Sequence, residues 1–447
     1  MPRKNCPNPD QMELARAPPR RREPLPEGRE SGFGPLRRRA WGSDTNPPAE
    51  ARRCHRGLAE ASCELSLAEA PGALWKMRIL ELGKFYPPVR GGMESALEQI
   101  CLGLRRRGHR VLALVSADER RASASYREGV AVWRLGRYGQ IASSPVNPGL
   151  ARALKRVRSQ FRPQLVHLHL PNPAVAVAWL LFGDRQLPLV ISYHSDIVRQ
   201  RRLASLLEPL RQRVLARAAK IVVSSEDLRN SSRSLAAHRA RCIVIPWGID
   251  VDTILPGPPP SPELLPFPRY FLFVGRMVYY KGLEVLLAAL QQENMPLVVV
   301  GEGPLRARWE KQAASRGLGD RVYFAGAVSQ QALDTLYRGC VAQVLPSIAA
   351  SETFGLVQLE AMARGRPVVA ARASGGVASV QEDGVSGLLV PPADADSLRR
   401  ALKTLWDDPQ RAEAMGQAAR ARVVSHFHQG RRMEQLSGLL EGLVAHE

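Results

Sequence analysis

MRILELGKFYPP (Met77–Pro88) reads as a buried strand that runs straight into a loop. A β/α unit of a parallel sheet usually opens this way. Outward from it, short apolar runs recur: RVLALVS (Arg110–Ser116), QLVHLHL (Gln164–Leu170), LPLVISY (Leu187–Tyr193), KIVVSS (Lys220–Ser225) and CIVIPWG (Cys242–Gly248). Stretches with helical periodicity lie between them, including Ser95–Arg107, Gly149–Phe161 and Asp196–Ala219. Strand then helix, repeated, specifies an α/β doubly wound sheet over residues 77–255.

PGPPPSPELLPFP (Pro256–Pro268) interrupts the rhythm. Proline at this density fits neither a helix nor an interior strand, so the segment reads as an interdomain linker. The alternation restarts in YFLFVGR, PLVVVGEG, VYFAGAV, AQVLPS, PVVAAR and GLLVPP, giving a second doubly wound domain over 269–425. Residues 426–447 are expected to form a helix that packs back on the first domain. Such sheets bind ligands at the carboxyl ends of their strands, and two of them joined by a linker face each other across a cleft.

Residues 1–76 are rich in Pro, Arg and Glu and lack sustained periodicity, apart from a short helical pattern near Leu58–Ala70. They read as a disordered extension, with Met77 as the natural start and residues 2–76 dispensable for activity. Ten acidic residues there argue against a transit peptide, and the first 30 residues show no secretory signal.

The chain has 447 residues and a formal net charge of +21, with an ordinary 45% hydrophobic content. The charge is concentrated: residues 77–255 carry 29 Lys/Arg against 13 Asp/Glu, whereas residues 256–447 carry 20 against 19. A basic domain beside a neutral one implies an anionic partner on one side. With 6% aromatic residues and no zinc-finger or base-stacking motif, nucleic acid is not the expected partner. No apolar run is long enough to span a bilayer; one of the longest, Ala174–Phe182, stops at Gly183. Six cysteines without a CxxC pair read as reduced thiols in a cytoplasmic protein.

The chemistry is most legible in SETFGLVQLEAMARGRPVVAARASGG (Ser351–Gly376). Glu352 and Glu360 lie eight positions apart, and Phe354–Ala363 has a helical apolar period. The amides of Phe354, Gly355, Leu356 and Val357 then fall in the first turn, without intrahelical partners, and form an anion site suited to phosphate. Gly355 lets a ligand approach the backbone. Glu360 is placed to accept bonds from ribose hydroxyls and Glu352 from sugar hydroxyls. In FVGRMVYYKG, Arg276 and Lys281 follow a strand five residues apart, as two cations that can clamp a diphosphate.

Together these motifs resemble glycosyltransferase family 4, the retaining GT-B enzymes of the bacterial glycosyl group 1 type. Ser351–Gly376 is similar to the Glu-x7-Glu signature, and Arg276 and Lys281 stand where the family has GRxxxxKG. GGMES (Gly91–Ser95) is similar to the GGxE loop, where Gly91 and Gly92 let backbone approach the donor phosphate. GEGP and VYFAGAV place Gly301 and Val328 near the nucleotide base. His194 stands where the family has a cleft histidine at the donor sugar, which gives it a catalytic role beside Glu352, Arg276 and Lys281. The chain has His194-Ser195-Asp196 where many relatives have His-Asp, so Asp196 reads as a cap for the next helix. His167 and His169 read as structural. The resemblance covers about five-sixths of the chain.

The resemblance implies the GT-B fold, two Rossmann-like domains facing a cleft. It implies transfer of a hexose, of mannose or rhamnose type, from a nucleotide-diphosphate sugar to a glycan or lipid-linked acceptor of the cell envelope. No metal is expected, because no DxD-like carboxylate pair ends a strand. Glu352 positions the sugar, and no protein group is assigned as general base. The helix after Asp196 carries Leu203, Leu206, Leu207, Leu210, Val214 and Leu215 on one side and a set of arginines elsewhere, which suits an anionic membrane surface. Arg105–Arg107 add to that face. A soluble synthase of sugar phosphates or small glycosides, and a nucleic-acid-binding protein on a degenerate scaffold, are the competing readings.

Overall fold

The computed structural model describes residues 74–89, 91–141, 144–196, 201–254, 260, 265–373 and 376–445. The readings placed on residues 1–73 and on most of Pro256–Pro268 fall outside these.

The first sheet has eight strands in the order β10-β9-β8-β7-β1-β2-β4-β3. They are β1 (Arg78–Leu82), β2 (Arg110–Ser116), β3 (Ser123–Arg127), β4 (Val130–Leu135), β7 (Leu165–Leu170), β8 (Leu189–Tyr193), β9 (Lys220–Val223) and β10 (Cys242–Val244). The short pair β5 (Gly139–Ile141) and β6 (Ser144–Val146) stands apart. All pairs in the large sheet are parallel except β3 with β4. The sequence reading did not place this edge hairpin, because SASYR (Ser123–Arg127) is mostly exposed and offers no apolar run. Interior strands are buried on both faces, so they read as continuous apolar runs. Leu80, Val166 and Ile191 meet one helical layer, whereas Ile79, Leu165 and Val190 meet the other.

The second sheet has six parallel strands in the order β13-β12-β11-β14-β15-β16. These are β11 (Phe271–Val274), β12 (Leu297–Val300), β13 (Val322–Gly326), β14 (Ala342–Leu345), β15 (Val368–Ala371) and β16 (Gly387–Val390). In each sheet the strand order reverses beside the first strand of its domain, β1 or β11. The loops leaving those two strands therefore open at the switch points, where doubly wound sheets take their ligands.

Helix Gln429–Val444 lies on helix Gly92–Arg106 of the first domain. A Cβ on Gly103 would stand 2.6 Å from Met433 Cγ. Arg107 donates to the Gly430 carbonyl at 2.7 Å, and His109 Nε2 meets Ser437 Oγ at 2.8 Å. One apolar cluster runs from Ile79 and Val190 through Trp247 and Phe427 to Phe354 and Val368, so both sheets share it.

Helix Arg201–Arg217 lies within the expected Asp196–Ala219 and contains Pro209. Val214 and Leu215 are buried, and Leu207 and Leu210 are half-buried. The side chains of residues 201–206, Leu203 and Leu206 among them, fall outside the description. The start of this helix, and with it the expected Asp196 cap, falls on residues 197–200, outside the description. The Asp196 carboxylate accepts bonds from Tyr193 and Ser232 and ties the end of β8 to the segment after helix Glu226–Ser231. The three consecutive arginines all have partners within the chain, Arg106 an exposed one in Glu128 at 3.9 Å. Arg105 lies 4.5 Å over the Trp75 ring, and Arg107 is bonded to Gly430. No helix among the described residues is long and apolar enough to cross a membrane.

Candidate active site

The loop after β11 makes a 3₁₀ turn at Tyr279–Lys281 and ends on Gly282 with φ +67°. A Cβ at Gly282 would lie 2.0 Å from the Pro346 carbonyl oxygen, so only glycine lets this loop meet the one after β14. Ile348 donates its amide to the Tyr280 carbonyl at 2.8 Å and fastens the two loops together. The result is a buried ion pair: Lys281 Nζ stands 2.5 Å from Glu352 Oε2. Ser347 Oγ donates to the same carboxylate at 3.2 Å. Burial opposes the charge on Lys281, but the Glu352 carboxylate outweighs it and raises the Lys281 pKa.

Arg276, on the same loop, is exposed and forms no ion pair among the described residues. Its neighbours across the cleft come from the first switch-point loop and the helix behind it. Lys84 and Glu94 both lie within electrostatic reach of Arg276. Burial lowers the Lys84 pKa and raises that of Glu94. Gly91 caps helix Gly92–Arg106, and a Cβ there would strike Glu94 Oε2 at 2.2 Å. At Gly92 a Cβ meets nothing within 4 Å, so nothing in the described chain requires glycine there.

Helix Leu356–Ala363 begins two residues later than expected, with Gly355 at its N-cap. Gly355 has φ +71°, and a Cβ would lie 2.6 Å from Leu345 Cδ2, so the turn admits no side chain. The first-turn amides are those of Leu356 and Val357. The Phe354 ring is buried and meets Phe427 edge-on at 5.9 Å, which leaves only its backbone for a ligand. Glu360 accepts a bond from Tyr337 OH at 2.8 Å, and burial pushes its carboxyl up. Gly301 donates to the Gly326 carbonyl at 2.8 Å, and its bare Cα rests on the Gly275 carbonyl. Val328 is half-buried against the shared apolar cluster.

His194 directly follows β8 and is 7% exposed. Its ring stacks on Trp247 with centroids 5.3 Å apart, and its Nε2 lies 3.1 Å from His169 Nδ1. His169 and His167, read from sequence as structural, are not isolated core histidines. Both bond to the buried Glu81, at 2.8 Å and 3.1 Å. Burial opposes ionisation of Glu81, yet the two imidazoles outweigh it and hold its carboxyl down to about 2. Burial also lowers His169 and takes His194 well below the ordinary imidazole range, so both are neutral near pH 7. The sequence signal for this cluster was an acid in a strand whose other residues are apolar, next to a His-x-His strand.

The structure therefore gathers Arg276, Lys281, Glu352 and the Gly355 turn at one sheet edge, with the Gly91–Glu94 turn opposite. Preorganised cations and amides around one space are suited to hold a diphosphate and to stabilise charge growing on it. Comparison with known proteins gives the family. Residues 263–422 match the family model of glycosyl transferases group 1, and residues 90–253 match that of glycosyltransferase family 4. The O-antigen chain mannosyltransferase C of Escherichia coli is 31% identical over 358 residues, 78% of this chain and 94% of the relative. The D-rhamnosyltransferase WbpZ of Pseudomonas aeruginosa is 35% identical over 360 residues, 78% of this chain and 92% of the relative. Sucrose-phosphate synthase from Thermosynechococcus elongatus superposes with a TM-score of 0.73 at 23% identity, covering 83% of this chain and 100% of the other. The Anabaena protein HepE in complex with UDP gives 0.67 at 23% identity, with 82% and 100% covered. The fold is GT-B. The chain belongs to glycosyltransferase family 4 and is a glycosyltransferase.

Proposed function

We propose that the chain moves a hexose, of mannose or rhamnose type, from a nucleotide-diphosphate sugar to a glycan or lipid-linked acceptor of the cell envelope. The anomeric configuration is retained. The observation that carries this reading is the buried Lys281–Glu352 pair beside the exposed Arg276 at the switch point of the second sheet. The names of the two bacterial relatives support the sugar and the acceptor class.

In this reading the second domain holds the donor. Arg276 and Lys281 take the diphosphate with the Leu356 and Val357 amides, and Glu360 takes ribose hydroxyls. Glu352, bonded to Lys281, meets the sugar with its free acceptor capacity. The departing diphosphate gains charge, and these groups stabilise it without reorganising. A cation is not required where two basic side chains and a helix N-terminus already face the leaving group. The acceptor hydroxyl attacks from the side on which the diphosphate leaves, and a phosphate oxygen takes its proton. Incubation with sugar nucleotides and polyisoprenyl-linked glycan acceptors tests the reading: an α-linked product from an α-linked donor is expected. A product of inverted configuration would contradict retention, and transfer only to free sugar phosphates would support the soluble-synthase alternative.

The basic first domain faces an anionic membrane surface. Leu181 and Phe182 are exposed at the end of helix Pro173–Phe182, which packs on helix Arg201–Arg217 with its exposed Arg213. Binding to vesicles containing anionic lipid is expected at low salt and is lost as the Debye length shrinks to about 3 Å near 1 M. Equal binding to neutral vesicles, or none to either, would remove the membrane from the account.

A further inference from the structure

Glu81, His167 and His169 sit on the face of the first sheet that packs under helices Gly92–Arg106 and Gln429–Val444. All three are buried, and each of their side-chain polar atoms has a partner. The hydrogen bonds form one line: Ser192 Oγ to His167 Nε2 at 2.9 Å, His167 Nδ1 to Glu81, Glu81 to His169 Nε2, and His169 Nδ1 to His194 Nε2. The line starts inside the sheet and ends at His194, just past the carboxyl end of β8.

A carboxylate only accepts hydrogen bonds. Glu81 therefore requires an N–H on His169 Nε2. A neutral imidazole carries one N–H, so His169 Nδ1 is left as an acceptor. His194 Nε2, facing that acceptor, must then carry the proton, and His194 Nδ1 must be bare. Nδ1 takes part in none of the hydrogen bonds among the described residues. Trp247 stacks on the ring nearly parallel, at 9°, and holds its plane, while the bond to His169 keeps Nε2 on the side of the line. Arg432, from helix Gln429–Val444, lies 4.0 Å over the other part of this stack, on Trp247. Arg432 and Cys101 face Glu81 from the two helices, and Arg432 is the compensating cation.

We infer that Glu81 and His169 are positioning residues that fix the tautomer of His194, so that it presents a bare Nδ1 to the cleft as an acceptor for a hydroxyl of the bound sugar. The inference rests on the proposed place of His194 in the donor site. The same three side chains also have metal-ligand chemistry, with ligand atoms within 4.8 Å of one another. The complete set of mutual hydrogen bonds and the nearby Arg432 cation favour the relay.

Side-chain ¹⁵N spectra of the full-length protein, with His194 assigned through His194→Gln, test this directly. The expected result is a neutral His194 with protonated Nε2 and bare Nδ1 from pH 6 to pH 8. A protonated Nδ1 would overturn the inference, and so would stoichiometric zinc in the purified protein. Turnover gives a second readout. His169→Phe keeps the ring and removes the acceptor, and should lower kcat by about 10–100-fold with the donor KM little changed. His169→Asn, whose Oδ1 stands near the place of Nδ1, should recover most of that loss. Equal loss in both variants would mean that His169 acts only by filling space. If His194→Gln leaves turnover unchanged while the spectrum shows the expected tautomer, the failure belongs to the proposed donor site and not to the relay.

Discussion

Lys281→Ala lowers kcat by about 10²–10³-fold, the loss typical of one preorganised group that stabilises developing negative charge. The same change also destabilises the fold, because Glu352 loses its buried partner at 2.5 Å. Leaving one member of a buried pair uncompensated costs about 3–5 kcal/mol. The double variant Lys281→Ala/Glu352→Gln separates the two effects, since it removes the stranded charge. Its melting temperature should return most of the way to that of the parent while kcat stays low. Recovery of turnover with stability would show that Lys281 serves the fold alone. The pair also sets a pH limit. Lys281 has a raised pKa in the folded state, so its contribution is full below the ordinary lysine value of 10.5 and fades as the pH rises above it.

Glu360→Ala raises the donor KM by about 10–100-fold and leaves kcat within a few-fold, since two charge-assisted hydrogen bonds to hydroxyls are worth roughly 1.5–3 kcal/mol each before desolvation is counted. Glu360 is held by Tyr337 at 2.8 Å, so its carboxylate is oriented before any ligand arrives. Tyr337→Phe should reproduce part of the KM effect, because it frees the carboxylate to turn. A KM unchanged in Glu360→Ala, measured by initial rates over a range of donor concentration, would remove Glu360 from the ribose site.

Much of this arrangement was legible in the sequence. Two-faced burial makes interior strands into uninterrupted apolar runs, so β1, β2, β7, β8 and the second-domain strands could be placed within a few residues. Glu352, Glu360, Arg276 and Lys281 stood out because their spacing from glycines and strand ends is local. What was not legible came from contacts distant in sequence. The Lys281–Glu352 pair depends on Gly282 meeting Pro346, 64 positions away. The line from Glu81 to His194 depends on the β1-β7-β8 register, and no spacing along the chain shows which strands are neighbours. The helix start was placed too early because Phe354 fits the apolar period, although the left-handed Gly355 ends the turn before it.

The central claim is a nucleotide-sugar site in the second domain that needs no metal. Thermal unfolding of the full-length protein with GDP-, UDP-, dTDP- and ADP-sugars, each with and without EDTA, tests it most directly. At a ligand concentration about 100-fold above Kd, stabilisation by roughly 2.7 kcal/mol should raise the melting temperature by about 3 °C for a chain of this size. The account predicts such a shift with one nucleotide base, unchanged by EDTA and absent in Lys281→Ala/Glu352→Gln. A shift abolished by EDTA, or no shift with any sugar nucleotide, would contradict it.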